Sequence, residues 1–414
     1  MYNIDFTALN TILESGSKDD LVRFMTANKL EIIKGSIVAK DKNRAKLAID
    51  FWDKKQTVRK LNLNGLYGAL LNPGCRYFDQ RIGQSTTLTG RCIAKHMHAY
   101  TNEVITGEYD YLGKSVIYGD TDSLFFSAWP VLKDAIESGQ QEWNRDICVE
   151  LFDSIAEQVN NSFPAFMEQA FHCTRKHGEL IKAGRELVAS SGLFITKKRY
   201  AVLIYDLEEK RLDVLSEEDA KKNGALYGLG KVKAMGLDLK RADTPKLVQD
   251  FLSNILVDVL TTGDREVVVN KIVEFKTLFT NLPVWEKGTP KRVNNLTSYG
   301  DKIARGAQGM VPGHVTAAIN WNKLREIQHD RNSPKIVDGM KTIVLKLKSN
   351  PMGMTSIGYP IDIAHIPQWF KDLPFDHELM IDTVVNKKID NLLGVLNWEI
   401  SHCKTTFTSL FVFG

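Results

Sequence analysis

The chain lacks the marks of a secreted, disulfide-framed or zinc-held protein. Its five cysteines (Cys75, Cys92, Cys148, Cys173, Cys403) are scattered, odd in number and never spaced Cys-x-x-Cys. Reduced thiols are therefore expected. His172-Cys173 with His177, and His96 with His98, lack the further ligands of a four-coordinate zinc site. No apolar run approaches the roughly 18 residues of a membrane span. The start, Met1-Tyr2-Asn3-Ile4-Asp5, has no basic segment leading into an apolar one, so no secretory leader is expected and a cytoplasmic setting is. There is neither an internal repeat nor a low-complexity tract.

Charge of one sign is also scarce. Lysine and arginine (54) barely outnumber aspartate and glutamate (50), and a net charge of +4 does not by itself announce a nucleic-acid partner. The distribution says more. Lys182, Arg185 and Lys197-Lys198-Arg199 are followed by Lys231, Lys233, Lys240, Arg241 and Lys246. Such a run is either a solvated face or a contact for a phosphate backbone. With 414 residues, 43% of them hydrophobic and 25% charged, the chain suffices for two or three globular domains.

What is present is an acidic hairpin. Tyr118-Gly119-Asp120-Thr121-Asp122-Ser123 lies between Val116-Ile117 and Leu124-Phe125-Phe126. Two apolar runs around a Gly-Asp turn predict paired antiparallel strands. Two carboxylates two positions apart on extended backbone point to one side, where they suit Mg²⁺, a hard cation that accepts one or two carboxylates and completes its shell with substrate phosphates. Nucleotidyl transfer is the chemistry suggested, and a two-metal site would need a further carboxylate from elsewhere. The alternative is a solvated turn with capping acids.

Along the chain, one amphipathic helix is expected over Leu21–Ile33 and a long one over Ala45–Leu71, stopped by Asn72-Pro73-Gly74. Another follows over Arg76–Tyr100. Ile147, Leu151 and Ile155 repeat at helical spacing until Pro164, expected to break the run. Glu186–Phe194 and Tyr200–Leu207 read as strands that join the hairpin in one antiparallel sheet with helices on one side. After Gly236 a mainly helical region is expected. It opens with Thr244 as N-cap, Pro245 at the first helical position and a buried stripe of Leu247, Phe251, Leu252, Ile255 and Leu256. Lys341–Lys348 alternates like a strand. The fold class is α+β.

On the long helix, Lys60, Asn64 and Tyr67 share one face at i, i+4 and i+7. They are either an incidental surface stripe or a cation, an amide and a ring arranged for a triphosphate, a sugar and a base pair's edge. Gly65 between them costs about 1 kcal/mol relative to Ala in a helix.

In order and spacing, Lys60-x-x-x-Asn64-x-x-Tyr67-Gly68, Tyr118-Gly119-Asp120-Thr121-Asp122-Ser123 and Lys197-Lys198-Arg199-Tyr200 resemble the later motifs of family B DNA polymerases, those of T-even-like bacteriophages above all. Lys233-Ala234-Met235-Gly236-Leu237 with Thr244-Pro245-Lys246 is similar to their palm-to-thumb junction. The terminal Ser409-Leu410-Phe411-Val412-Phe413-Gly414 resembles their sliding-clamp-binding peptide, although Phe407, Leu410, Phe411 and Phe413 could equally pack on the chain itself. The resemblance covers about residue 45 to the end. It implies that Asp120 and Asp122 are palm carboxylates binding two Mg²⁺ ions, and that Glu186 is an auxiliary acid. Lys60, Asn64 and Tyr67 would then face the incoming dNTP. Lys198, Arg199, Tyr200, Lys233 and Lys246 would contact primer-template DNA, and Leu410, Phe411 and Phe413 the clamp. Residues 1–72 would be the C-terminal part of the fingers, 73–236 the palm and 237–414 a mostly helical thumb.

Two departures stand out. Family members usually have Ser where Gly65 stands. The earlier palm motif Asp-x-x-Ser-Leu-Tyr-Pro, which supplies a metal-bridging aspartate, does not occur in the 414 residues, and the 59 residues before Lys60 leave no room for the family's exonuclease domain. The expectation is thus the C-terminal subunit of a split DNA polymerase whose partner, an N-terminal subunit, supplies that aspartate, the first fingers helix and proofreading. The alternative is a catalytically inert remnant that binds primer-template and clamp.

Overall fold

A computed structural model describes residues 6–398 apart from 16, 34–35, 143 and 307–310. It divides into two compact units, Met1–Lys95 and His96–Gly414.

The first unit is built from short helices, a small hairpin and long helical rods. Helices α1 (Phe6–Ser15) and α2 (Lys18–Ala27) are followed by β1 (Leu30–Ile33) and β2 (Ser36–Ala39), paired antiparallel. The helix expected over Leu21–Ile33 therefore ends early. Asn28 caps α2, Lys29 takes φ +54°, and the β-branched Ile32-Ile33 continue as strand. Helix α3 (Lys42–Leu70) starts on Asp41, whose side chain accepts the Arg44 N–H, and has no buried residue over its 29 positions. Helix α4 (Gln80–Thr106) begins after the Asn72-Pro73-Gly74 stop.

The second unit carries the sheets. Strands β3 (Val116–Asp120) and β4 (Ser123–Phe126) form a two-stranded hairpin, followed by α5 (Trp129–Glu137) and α6 (Arg145–Phe171). Pro164 does not break α6. It removes the bond to the Asn160 carbonyl, a defect that costs about 3 kcal/mol in a helix interior, but Ile155, Val159, Phe163 and Met167 are buried on both sides of it, each side chain contributing about 1.5–3 kcal/mol. After the single turn α7 (Arg175–Gly178) come β5 (Leu187–Thr196), β6 (Arg199–Leu207), β7 (Lys210–Arg211), α8 (Glu217–Asn223) and β8 (Lys231–Met235). Strand β6 is the centre of an antiparallel sheet, pairing with β5, β7 and β8. Among the described residues the β3–β4 hairpin is a separate sheet, contrary to the single sheet expected.

Burial on both faces explains the near-continuous apolar run of β6. Ala201 and Leu203 join a core with α9 (Lys246–Thr261) and α10 (Arg265–Asn281), while Tyr200 and Val202 line a cleft on the other side. Helix α9 is capped at Pro245 with no side-chain bond, and the Thr244 hydroxyl is buried without a partner, so Thr244 is not the cap. The buried stripe keeps the expected phase and differs only at its start. It comprises Val248, Phe251, Leu252, Ile255, Leu256 and Leu260, and Leu247 is exposed.

The rest forms a second core, less purely helical than expected. Strand β9 (Thr289–Arg292), α11 (Leu296–Ala304), α12 (Gly313–Ile327), β10 (Lys341–Lys346) and β11 (Ser356–Pro360) build a three-stranded sheet with β10 central, packed on the fully buried Trp321 of α12. Helices α13 (Gln368–Lys371), α14 (His377–Ile381) and α15 (Lys387–Leu393) follow. Helix α15 returns to the first core through Ile389, Leu392 and Leu393.

Candidate active site

The site is assembled from two turns. In the first, Asp120 pairs with Ser123 and the connection is Thr121-Asp122, so Asp120 and Asp122 sit at the tip while Gly119 stays in strand. Thr121 has φ +58°, and the Asp122 N–H donates to the Asp120 carbonyl at 2.7 Å, a three-residue γ-type turn. A β-branched residue in that region is held at a cost of about 1–3 kcal/mol. The two carboxylates consequently do not alternate along one extended strand. Asp120 ends β3 half-buried and Asp122 projects from the turn, exposed. The Thr121 hydroxyl donates to Asp120 Oδ1 at 3.3 Å.

The second turn is Lys197-Lys198, between Thr196 of β5 and its partner Arg199 of β6. Lys198 has φ +62°, and its backbone N–H donates to the Tyr118 hydroxyl at 2.7 Å. Its ammonium lies 3.6 Å from Asp120 Oδ2. Rings lock the turns together, with Tyr118 and Tyr200 centroids 5.5 Å apart, Phe125 and Phe194 5.3 Å, and Phe125 and Tyr200 5.2 Å. Such pairs contribute about 0.5–1.5 kcal/mol each beyond area burial. Burial holds the Tyr200 hydroxyl above the ordinary phenol range, with Lys233 opposing. Arg199 donates to the Asn391 carbonyl at 3.3 Å, which fixes the turn to α15.

Glu186, just before β5, accepts from Lys233 Nζ at 2.7 Å. Asp122, Glu186, Lys233 and Tyr200 line one cleft of about 780 Å³, whose walls include Phe126, Ile155 and Val188. Lys246, by contrast, pairs with Asp250 on the surface of α9 at 2.6 Å. In the first unit, Lys60 and Asn64 are exposed on α3 and Tyr67 is half-buried. The clamp-binding candidates Leu410, Phe411 and Phe413 lie outside the described residues.

Asp120 and Asp122 supply carboxylate oxygens of the kind Mg²⁺ accepts, with Asp120 paired to Lys198 at 3.6 Å. They do not amount to a self-contained two-ion site. Among the described residues no group of three or more His, Cys, Asp or Glu is gathered closely enough to hold a metal ion, and Glu186 is engaged by Lys233. The residues that sequence reasoning left without a role are Tyr118, which carries the bond between the turns, and Gly236. Gly236 has φ +64°, and a Cβ there would stand 2.2 Å from the Lys198 carbonyl oxygen. Tyr118 was visible inside the hairpin motif. The Gly236 contact is long-range and leaves no local signal.

A carboxylate-bearing turn beside a lysine-bearing turn, over a cleft with apolar walls, suits an anionic, cation-bound ligand of the phosphoryl-transfer class. A family model described as DNA polymerase family B matches residues 32–284, and the chain belongs to that family. It is 30% identical over 320 residues to a DNA-directed DNA polymerase of Escherichia phage RB69, a match covering 74% of this chain and 33% of that protein. With the DNA-directed DNA polymerase of Enterobacteria phage T4 it shares 26% identity over 363 residues, 83% of this chain and 36% of the relative. A DNA polymerase II of Escherichia coli (strain K12) is 39% identical over 66 residues, 16% of this chain and 7% of that protein. The chain spans about a third of the length of the phage relatives. No helix among the described residues is long and apolar enough to cross a membrane.

Proposed function

We propose that this chain is the C-terminal subunit of a split replicative DNA polymerase, which adds deoxynucleotides to a primer 3′ end by two-metal nucleotidyl transfer. The observation that carries the reading is the pairing of Asp120 with Lys198 across two turns tied by Tyr118, on a chain of this family. Asp120 and Asp122 hold Mg²⁺, which supplies Lewis-acid stabilisation of the transferring phosphoryl group. Lys198, Arg199, Tyr200 and Lys233 contact primer-template beside them, with Lys246 farther along, and Glu186 serves as auxiliary acid once Lys233 turns to phosphate. Lys60, Asn64 and Tyr67 receive the dNTP.

A partner chain completes the site with the missing aspartate, the first fingers helix and the exonuclease. Two observations support incompleteness: the absence of a three-ligand metal group among the described residues, and α3, which leaves Leu47, Phe51, Trp52, Val58 and Leu61 exposed. Apolar side chains exposed along one helix offer an interaction face. In this reading residues 1–72 belong to the fingers, 73–236 to the palm and 237–414 to the thumb, and Leu410, Phe411 and Phe413 dock on a sliding clamp.

The test is primer extension with Mg²⁺, with and without a polypeptide bearing the Asp-x-x-Ser-Leu-Tyr-Pro segment. Synthesis is expected only with the complement and is expected to fall on the order of a thousandfold in Asp122→Ala. Robust synthesis by the chain alone contradicts the partner requirement. Failure to synthesise with any complement, while primer-template still binds, favours the inert binding remnant.

A further inference from the structure

Helix α4 presents two side chains one turn apart, His98 and Asn102, to the segment that forms the acidic hairpin. Asn102 is 2% exposed. Its amide donates to the Glu108 carbonyl at 2.9 Å, and its oxygen accepts the Ser115 N–H at 3.4 Å. The Ser115 carbonyl in turn accepts the Ser127 N–H at 2.9 Å, closing the base of the hairpin. His98 acts four residues earlier on the helix and four residues nearer the tip. A Cβ on Gly119 would stand 2.4 Å from His98 Cε1 and 2.6 Å from Nε2, closer than real atoms approach. Gly119 is not among the residues with positive φ. Glycine leaves room there rather than a special conformation, and a Cβ would require the imidazole to shift: the backbone directly before Asp120 rests on the imidazole edge.

We propose that His98 is a positioning residue for the reaction, the seat on which Gly119 packs and which thereby fixes Asp120 and the strained turn at Thr121. Asn102 anchors the base and His98 the tip, so one face of α4 sets the height of both carboxylates. The proposal rests on the nucleotidyl-transfer reading for its functional consequence. The seat itself is a property of this chain alone. A misplacement of about 1 Å at a reacting group can lower a rate about a hundredfold, so small changes under Gly119 are expected to matter at Asp120.

The experiment compares His98→Ala, His98→Phe, Gly119→Ala and the double variant Gly119→Ala/His98→Ala in the full chain. Amide exchange is read at Asp120–Leu124 against Ala201–Tyr205 of β6 as internal control, and single-nucleotide incorporation is followed in the complemented enzyme. His98→Ala is expected to speed exchange at the tip about tenfold while β6 is unchanged. It is also expected to lower kcat for incorporation by about 10- to 100-fold with KM for the nucleotide little altered. His98→Phe keeps a flat ring and is expected to retain both, and the double variant to recover part of what Gly119→Ala loses. Unchanged tip exchange in His98→Ala overturns the proposal, as does equal acceleration at β6 with kcat intact, which marks a merely structural role. No incorporation by the complemented wild type, with the exchange pattern as expected, sinks the polymerase reading and leaves the seat standing.

Discussion

The Tyr118 hydroxyl accepts the backbone N–H of Lys198 at 2.7 Å. This bond joins two sheets that share no strand pairing among the described residues. It brings the backbone of Lys198 beside the hairpin, and the exposed Lys198 ammonium lies 3.6 Å from Asp120. The ring cluster of Tyr118, Phe125, Phe194 and Tyr200 holds the same junction from the apolar side.

Replacing Tyr118 by Phe removes that bond and keeps the ring. Lys198 is exposed, so water satisfies its released N–H, and the expected loss is that of one net hydrogen bond, about 1 kcal/mol. Urea unfolding measures it, and exchange of the Lys198 amide reports the locality. No measurable loss would show that the ring cluster, and not the bond, carries the junction.

Gly236→Ala and Gly65→Ala are expected to differ in sign. At Gly236 a methyl would meet the Lys198 carbonyl at 2.2 Å, on backbone at φ +64°, and destabilisation by about 1–3 kcal/mol is expected. At Gly65 nothing lies within 4 Å and the residue is in the interior of α3, so alanine is expected to stabilise by about 1 kcal/mol. Thermal unfolding of the two variants checks both. A destabilising Gly65→Ala would show that close packing at that position is already present in the chain.

Much of this architecture is written locally. The α3 stop at Asn72-Pro73-Gly74, the hairpin around Asp120 and the doubly buried β6 follow from caps, turn residues and apolar period, and they were legible. Where local rules failed, a tertiary contact had overridden them. Pro164 stays inside α6 because the helix is buried on either side of it. The α9 stripe begins at Val248 instead of Leu247 because Val248 packs into the core shared with β6 and α10. Gly119 stays in strand, where a Cβ would meet the His98 imidazole. Period and propensity carry no information about such contacts across a dozen or more residues.

Asp213 offers a pH test of the cleft wall. Its carboxylate is 6% exposed and receives Arg145 at 2.6 Å and Arg211 at 2.9 Å, with Arg211 also bonded to Asp146. Burial raises its pKa, the bonds from Arg211 and Arg145 lower it further than that, and the net value falls from 3.8 to about 2. A folded pKa depressed below the unfolded one contributes stability that is present above the unfolded value and is lost as pH falls through the folded one. The window is therefore about pH 4 down to about pH 2, and the contribution about 2 kcal/mol. Asp213→Asn is expected to lower Tm by a constant amount between pH 7 and pH 5, a difference that narrows below about pH 4 and closes near pH 2. Arg145 lines the cleft that also holds Asp122 and Glu186, so the same variant is expected to loosen the α6 side of that wall at neutral pH. A Tm difference independent of pH would assign the loss to packing around Asp213 rather than to its charge.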